Sequence, residues 1–308
     1  MATSATVLTA RFSSEVVREW SVWTSWLVEY SFEEALERLW VGGFARLELS
    51  AEHFNEYLAR LGASPYLDGA SRARAEAMAG KGPIEPSSLP PVEFVHAHGP
   101  FKPFELESAG DLERSLRVVE EWVRRCRDLG TAVLVCHPFT AKGLSCEDLE
   151  RLNLAAYRRL ARVAEDCGVV LAVENTGRGY GSLASHLLRL VEELSPSVAV
   201  CVDTGHANIE AYRGAVHRLV EEVGWAIAAT HVSDNDGSGD QHLFPGKGAI
   251  RWGEVLEALE AAGYRKPLNL EIPGEARLCP DPNSRVNYLK RLIASAGELL
   301  NPPKPQPS

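Results

Sequence analysis

The chain predicts an α/β protein of the (β/α)8 TIM-barrel class, and three observations carry that expectation. From residue 91 onward, short apolar runs rich in β-branched residues alternate with amphipathic helical stretches. The runs are nearly continuous in apolar character, as strands covered on both faces must be. Eight strand–helix units fit within 308 residues, a length that one such barrel commonly occupies. A single domain is therefore expected over residues 1–300, with a long excursion near 51–90 and a disordered Pro-rich tail, NPPKPQPS, at 301–308.

The first strand is expected near residues 5–11. SFEEALERLWVGG followed by FARLELS then gives a helix and a second strand ending near Glu48. Segments 12–31 and 51–90 carry weak signals, the latter with a helix over His53–Leu61 and the approach PIEPSSLPP. The remaining strands are expected at 92–98, 131–137, 169–174, 198–203, 225–232 and 267–272. Helices follow at 111–129, 146–167, 183–194, 209–223, 252–262 and 284–299, and Gly130, Gly168 and Gly263 mark helix ends.

Composition narrows the function classes. Hydrophobic residues make up 45% and charged residues 24%, ordinary for a globular chain able to bury a full core. A net charge of −10 with no basic run argues against a nucleic-acid partner. None of the six cysteines stands in CxxC spacing, which suits buried or free thiols in a reducing cytosol. The N-terminus lacks a signal-peptide pattern, and no run reaches the roughly 20 apolar residues of a membrane span. A cytoplasmic enzyme without membrane contact is expected.

The chemistry sits at strand ends. His98 follows PVEFVHA, His137 follows TAVLVC, Glu174 follows VVLAV, and Asp203 with His206 close VAVCVDTGH. His231 follows WAIAAT, Asp240 and His242 stand in GDQH, and Glu271 follows KPLNL. In a barrel these residues, tens of positions apart, converge at the C-terminal mouth. Imidazoles and carboxylates there are the ligand types for zinc, manganese, cobalt or magnesium, and burying them unpaired would be costly. His96 lies two residues before His98, on the same strand face, and is the competing choice at that position.

Asp234, Asn235 and Asp236 read as turn formers or supporting partners, and His53, His186 and His217 as helix-surface residues without a role. Arg178 in NTGRGYGS and Lys247 in FPGKG could bind an anionic part of a substrate. Trp20, Trp23 and Trp26 recur every three residues, as a sugar-stacking surface, a packing stripe or a subunit contact that would suit a homo-oligomer.

The segments HGPF, CHPF, VEN, VDTGHAN, HVSDNDGSGDQHLFPGKGAIRW and LEIPG resemble the xylose-isomerase-like barrel superfamily across about residues 31–300. That group holds sugar isomerases and epimerases together with type IV apurinic endonucleases. The resemblance implies one divalent cation on Glu174, Asp203, His231 and Glu271, with Glu174 and Glu271 as the proton-transfer pair and His206 contacting substrate. It also implies the alternative, a three-zinc phosphodiesterase site that adds His98, His137, His206, Asp240 and His242. The leading expectation is a metal-dependent sugar or sugar phosphate isomerase or epimerase working through an enediolate, with a small sugar as partner. Which sugar, and how many ions, lies in loop shapes that the sequence does not specify.

Overall fold

The computed structural model describes residues 9–12, 16–63, 73–74, 76–78 and 80–299. Eight strands form the ring: β1 (Val16–Trp23), β2 (Arg46–Leu49), β3 (Glu93–His98), β4 (Val133–Cys136), β5 (Val170–Glu174), β6 (Val198–Asp203), β7 (Ile227–Val232) and β8 (Leu268–Leu270). Each pairs in parallel with its neighbours in chain order. Leu270 of β8 pairs with Val22 of β1 and closes the circle. The fold is a (β/α)8 barrel.

Helices α1 (Phe32–Val41), α2 (Ala51–Arg60), α3 (Leu112–Cys126), α4 (Cys146–Cys167), α5 (Ala184–Leu194), α6 (Val216–Val223), α7 (Trp252–Ala261) and α8 (Pro282–Leu299) each follow one strand. Local chemistry sets their ends. Ser31 with Glu34, and Ser145 with Asp148, form capping boxes that satisfy the first free amides of α1 and α4. Gly168 ends α4 at φ 67°, a left-handed position where a side chain would be strained.

The first strand departs from expectation. Of the predicted 5–11, residues 5–8 lie outside the described part, while Thr9–Phe12 pairs antiparallel with β1 and stands outside the ring. The ring strand is instead VVREWSVW, where Arg18 and Glu19 interrupt the apolar run that marks the other strands. Trp20, Trp23 and Trp26 are buried, not a displayed surface. Trp26 stacks on Tyr288 of α8 at 6.4 Å and donates its N–H to the Arg285 carbonyl. His53 also departs: it is fully buried on α2 between Ser50 Oγ and the Tyr30 carbonyl, and burial lowers its pKa to about 3, keeping the ring neutral. The tail at 301–308 lies outside the described residues. No helix among the described residues is long and apolar enough to cross a membrane.

Strand alternation builds the interior. Val133, Val135, Ala172, Cys201 and Ala229 form a small apolar cluster of their own inside the ring, separate from the larger core beneath the helices. Two residues further along three of those strands, on the same face, come Glu174, Asp203 and His231. Small side chains below leave room for polar ones above.

Candidate metal centre

Glu174 is the hub. Its Oε2 faces His137 Nε2 at 3.0 Å and His98 Nε2 at 3.3 Å, while its Oε1 faces His231 Nδ1 at 3.0 Å and His206 Nδ1 at 3.3 Å. A second carboxylate, Glu271 Oε2, lies 3.1 Å from the same His231 Nδ1. Asp203 spends Oδ1 on the His206 amide at 2.6 Å, and its buried Oδ2 has no hydrogen-bond partner among the described residues. One ligand atom from each of Glu174, Asp203, His231 and Glu271 falls within 4.8 Å of the others.

The remaining predicted residues join at the rim. His206 Nε2 lies 3.4 Å and His242 Nε2 2.7 Å from Asp240 Oδ2. Each of these imidazoles turns its other nitrogen to a backbone carbonyl, His206 to Asn175 at 3.0 Å and His242 to Glu271 at 3.2 Å. Such bonds fix the ring tautomer and leave Nε2 aimed at the carboxylate. All nine residues singled out for metal binding thus belong to one linked cluster. His98 and His96 both enter it: His98 reaches Glu174, and His96 sits beside Glu48 at 3.4 Å.

Electrostatics describe a site short of positive charge. Burial pushes Asp203 up to about 7, with Glu174, Glu271 and Asp240 adding repulsion that His206 only partly offsets. Burial would raise Glu174 too, yet His231 and His137 hold it well below the ordinary carboxylate range. The imidazoles respond in kind. Against burial, Glu174 and Glu48 lift His98 to about 9, and Cys201, Glu48, Glu174 and Glu271 raise His231. Carboxylates that lift their neighbouring imidazoles mark a place where positive charge is favoured, a role that a divalent cation would fill with the ligands deprotonated. His231 Nδ1 faces both Glu174 and Glu271, at 3.0 and 3.1 Å, and a cation among these groups would offset both carboxylate charges.

Arg178 and Lys247 are not drawn into this cluster. Arg178 is exposed and pairs with Glu210, and Lys247 pairs with Glu275 at 2.7 Å under the Tyr288 ring. Asp234 is a loop organiser, accepting from the amides of Asn235, Gly246 and Ile250 and from the Trp252 indole. His186 stacks on Tyr180 and His217 faces Glu254, both away from the hub.

Two buried residues were given no role in the sequence analysis, Glu48 and Asn269, and His96 stood there only as the alternative to His98. The signal was available, since Glu48 ends an apolar run as the others do and Asn269 precedes Glu271 by the same two-residue step.

Backbone contact holds the rim loop. A Cβ on Gly274 would lie 2.0 Å from the Gln241 carbonyl oxygen and 2.7 Å from that of His242. Gly274→Ala must therefore push away the loop bearing Asp240 and His242. The expected outcome is a cost of about 1–3 kcal/mol in a denaturant titration and loss of any cation bound at that rim.

The family model described as the xylose isomerase-like TIM barrel matches residues 52–294. An L-ribulose 3-epimerase of Mesorhizobium japonicum is 29% identical over 166 residues, 51% of this chain and 54% of its own. A probable endonuclease 4 of Methanoculleus marisnigri is 29% identical over 233 residues, 69% of this chain and 78% of its own. The curated relatives matched first are covered over 64% or less of their own length. Among solved structures, the IOLI protein with a bound zinc atom superimposes with a TM-score of 0.68 over 92% of this chain and 99% of that one. At 15% identity that likeness shows the fold alone.

Proposed function

Because the chain belongs to the xylose isomerase-like TIM barrel family, we propose that it is a divalent-metal-dependent isomerase or epimerase of a sugar or sugar phosphate. The observation that carries this reading is the placement of two carboxylates, Glu174 and Glu271, on one nitrogen of His231 beside Asp203 Oδ2, which has no hydrogen-bond partner among the described residues. The donor set of three carboxylates and one imidazole fits manganese, cobalt, magnesium or zinc. A cation held there supplies Lewis acidity toward a substrate carbonyl and its neighbouring hydroxyl.

The chain's own residues do the rest. Glu271, with one oxygen turned to His231 and the other not so engaged, takes the proton from the carbon next to the carbonyl. Glu174, carrying a proton taken up from solvent, would give it from the other side to the same carbon in epimerisation; in isomerisation it would go to the former carbonyl carbon while the neighbouring hydroxyl's proton passes to the former carbonyl oxygen. His206, His137 and the Asp240–His242 loop are partly exposed around the mouth and orient substrate hydroxyls. Phe101 packs on His98 and His137, with ring centroids at 4.6 and 5.2 Å, and gives the mouth an apolar wall. The epimerase relative supports this assignment.

A second reading has its own support. His98, His137, His206, Asp240 and His242 all join the cluster, enough donors for three zinc ions, and an endonuclease 4 is among the relatives. Phosphodiester cleavage in abasic DNA would also call for cations gripping a duplex. The chain's charge of −10, and the pairing of Arg178 and Lys247 with carboxylates, weigh against it.

Metal-loaded protein incubated in D2O with a panel of ketoses, and separately with an abasic-site duplex, tests both. Carbon-bound deuterium in a ketose, with about one exchangeable metal per chain, is the expected result. Rapid duplex incision with near three zinc per chain and no exchange in any sugar would reverse the assignment.

A further inference from the structure

We infer that Glu48 is a positioning residue for the metal site: it takes the hydrogen of His231 Nε2, so that Nδ1 presents its lone pair to the cation. The inference rests on the reading of the barrel mouth as a cation site.

Three polar side chains inside the ring, none of them a predicted ligand, lead in order to His231. Ser21 Oγ on β1 donates to Asn269 Oδ1 on β8 at 3.1 Å. The Asn269 Nδ2 donates in turn to Glu48 Oε2, and because a carboxylate only accepts, that bond settles which way the amide faces. With Oε2 so engaged, Oε1 meets His231 Nε2 at 2.9 Å. Ser21, Asn269, Glu48 and His231 are all completely buried, so water does not compete for these bonds.

The direction of the ring follows. His231 Nδ1 faces Glu174 Oε1 and Glu271 Oε2, the two carboxylates of the four-ligand group. A neutral imidazole carries one hydrogen, and only the nitrogen without it can bind a metal. Glu48 Oε1 offers the acceptor that keeps the hydrogen on Nε2. A carboxylate behind a ligating imidazole also raises the basicity of the metal-facing nitrogen. His96 has a different part. Its Nε2 lies 3.4 Å from the same oxygen without a hydrogen bond, and it closes the remaining side of Glu48.

The test uses zinc alone as the probe. Metal-free wild type, Glu48→Gln, Asn269→Ala and Glu174→Gln are titrated with Zn2+ by calorimetry, and ring 15N shifts of His231 are recorded in the zinc-bound wild type. Expected are a weakening of about 10–100-fold in Glu48→Gln, a smaller loss in the same direction in Asn269→Ala, and abolished tight binding in Glu174→Gln. The nitrogen shifts should show zinc on Nδ1 and hydrogen on Nε2. A merely structural role would lower the melting temperature and leave the affinity of the folded protein unchanged. Should Glu48→Gln fail to fold, Asn269→Ala and the nitrogen shifts decide alone. Wild-type affinity in Glu48→Gln with none in Glu174→Gln, or zinc on Nε2, overturns this inference and leaves the metal reading standing. A wild type that binds no zinc overturns both.

Discussion

Glu174→Gln should reduce carbon–hydrogen exchange in the substrate by roughly 10^3-fold or more, since loss of a positioned acid–base group alone typically costs 10^2–10^4. The reason lies in how many imidazoles share this one side chain. Its two oxygens meet four histidines, His98, His137, His206 and His231, at 3.0–3.3 Å. A glutamine keeps one oxygen and replaces the other with an NH2 that cannot ligate a metal. It also removes a negative charge from the centre of the cluster and cannot carry a proton. Exchange measured by NMR in D2O, on protein whose circular dichroism matches the wild type, is the check. Activity within tenfold of wild type would mean that Glu174 is neither ligand nor proton donor.

Asp203→Asn should act in opposite directions on the metal-free and metal-loaded proteins. In the fold, burial and the neighbouring carboxylates push Asp203 up to about 7, whereas the unfolded chain has the ordinary value of 3.8. A carboxyl with a raised folded-state pKa costs stability once the pH exceeds 3.8, and the cost is complete above about 7. At pH 8 the neutral amide avoids that cost, and the metal-free variant should be more stable by up to about 4 kcal/mol, the rise from 3.8 to about 7 taken at about 1.4 kcal/mol per pKa unit. The advantage should fade as the pH falls toward 4, where both side chains are uncharged. Zinc reverses the order. The substituted asparagine could still accept the His206 amide at its carbonyl oxygen, but its other atom is a donor where Asp203 has a free oxygen. The wild type should gain about 3 kcal/mol at a hundredfold excess of zinc over Kd, and the variant little of it. Urea titrations with and without zinc read both signs. A metal-free variant less stable than wild type at pH 8 would count against the crowded-carboxylate account.

Most of the barrel was legible because fully covered strands announce themselves as apolar runs. The residues ending them, from His98 to Glu271, came with the runs. β1 was hidden because Arg18 and Glu19 break its pattern, and only pairing with β2 and β8, both distant in sequence, identifies it as the closing strand. Glu48 was seen as a strand end but given no chemistry, since its partners His231 and Asn269 lie 183 and 221 positions away. His53 sits on an amphipathic helix and looks like a surface residue until the Tyr30 carbonyl and Ser50 are seen enclosing it. The ion pairs that occupy Arg178 and Lys247 are likewise tertiary facts.

The Ser21–Asn269–Glu48–His231 bonds join the first, second, seventh and eighth strands across the ring's interior. Glu48 and His231 bond to each other directly, whereas Asn269 meets Glu48 and Ser21 only where the eighth strand pairs with the first. A chain lacking that last strand and the residue after it has neither Asn269 nor Glu271, and so has only part of the proposed four-ligand group. Closing the circle and completing the proposed four-ligand group therefore depend on the same stretch of chain.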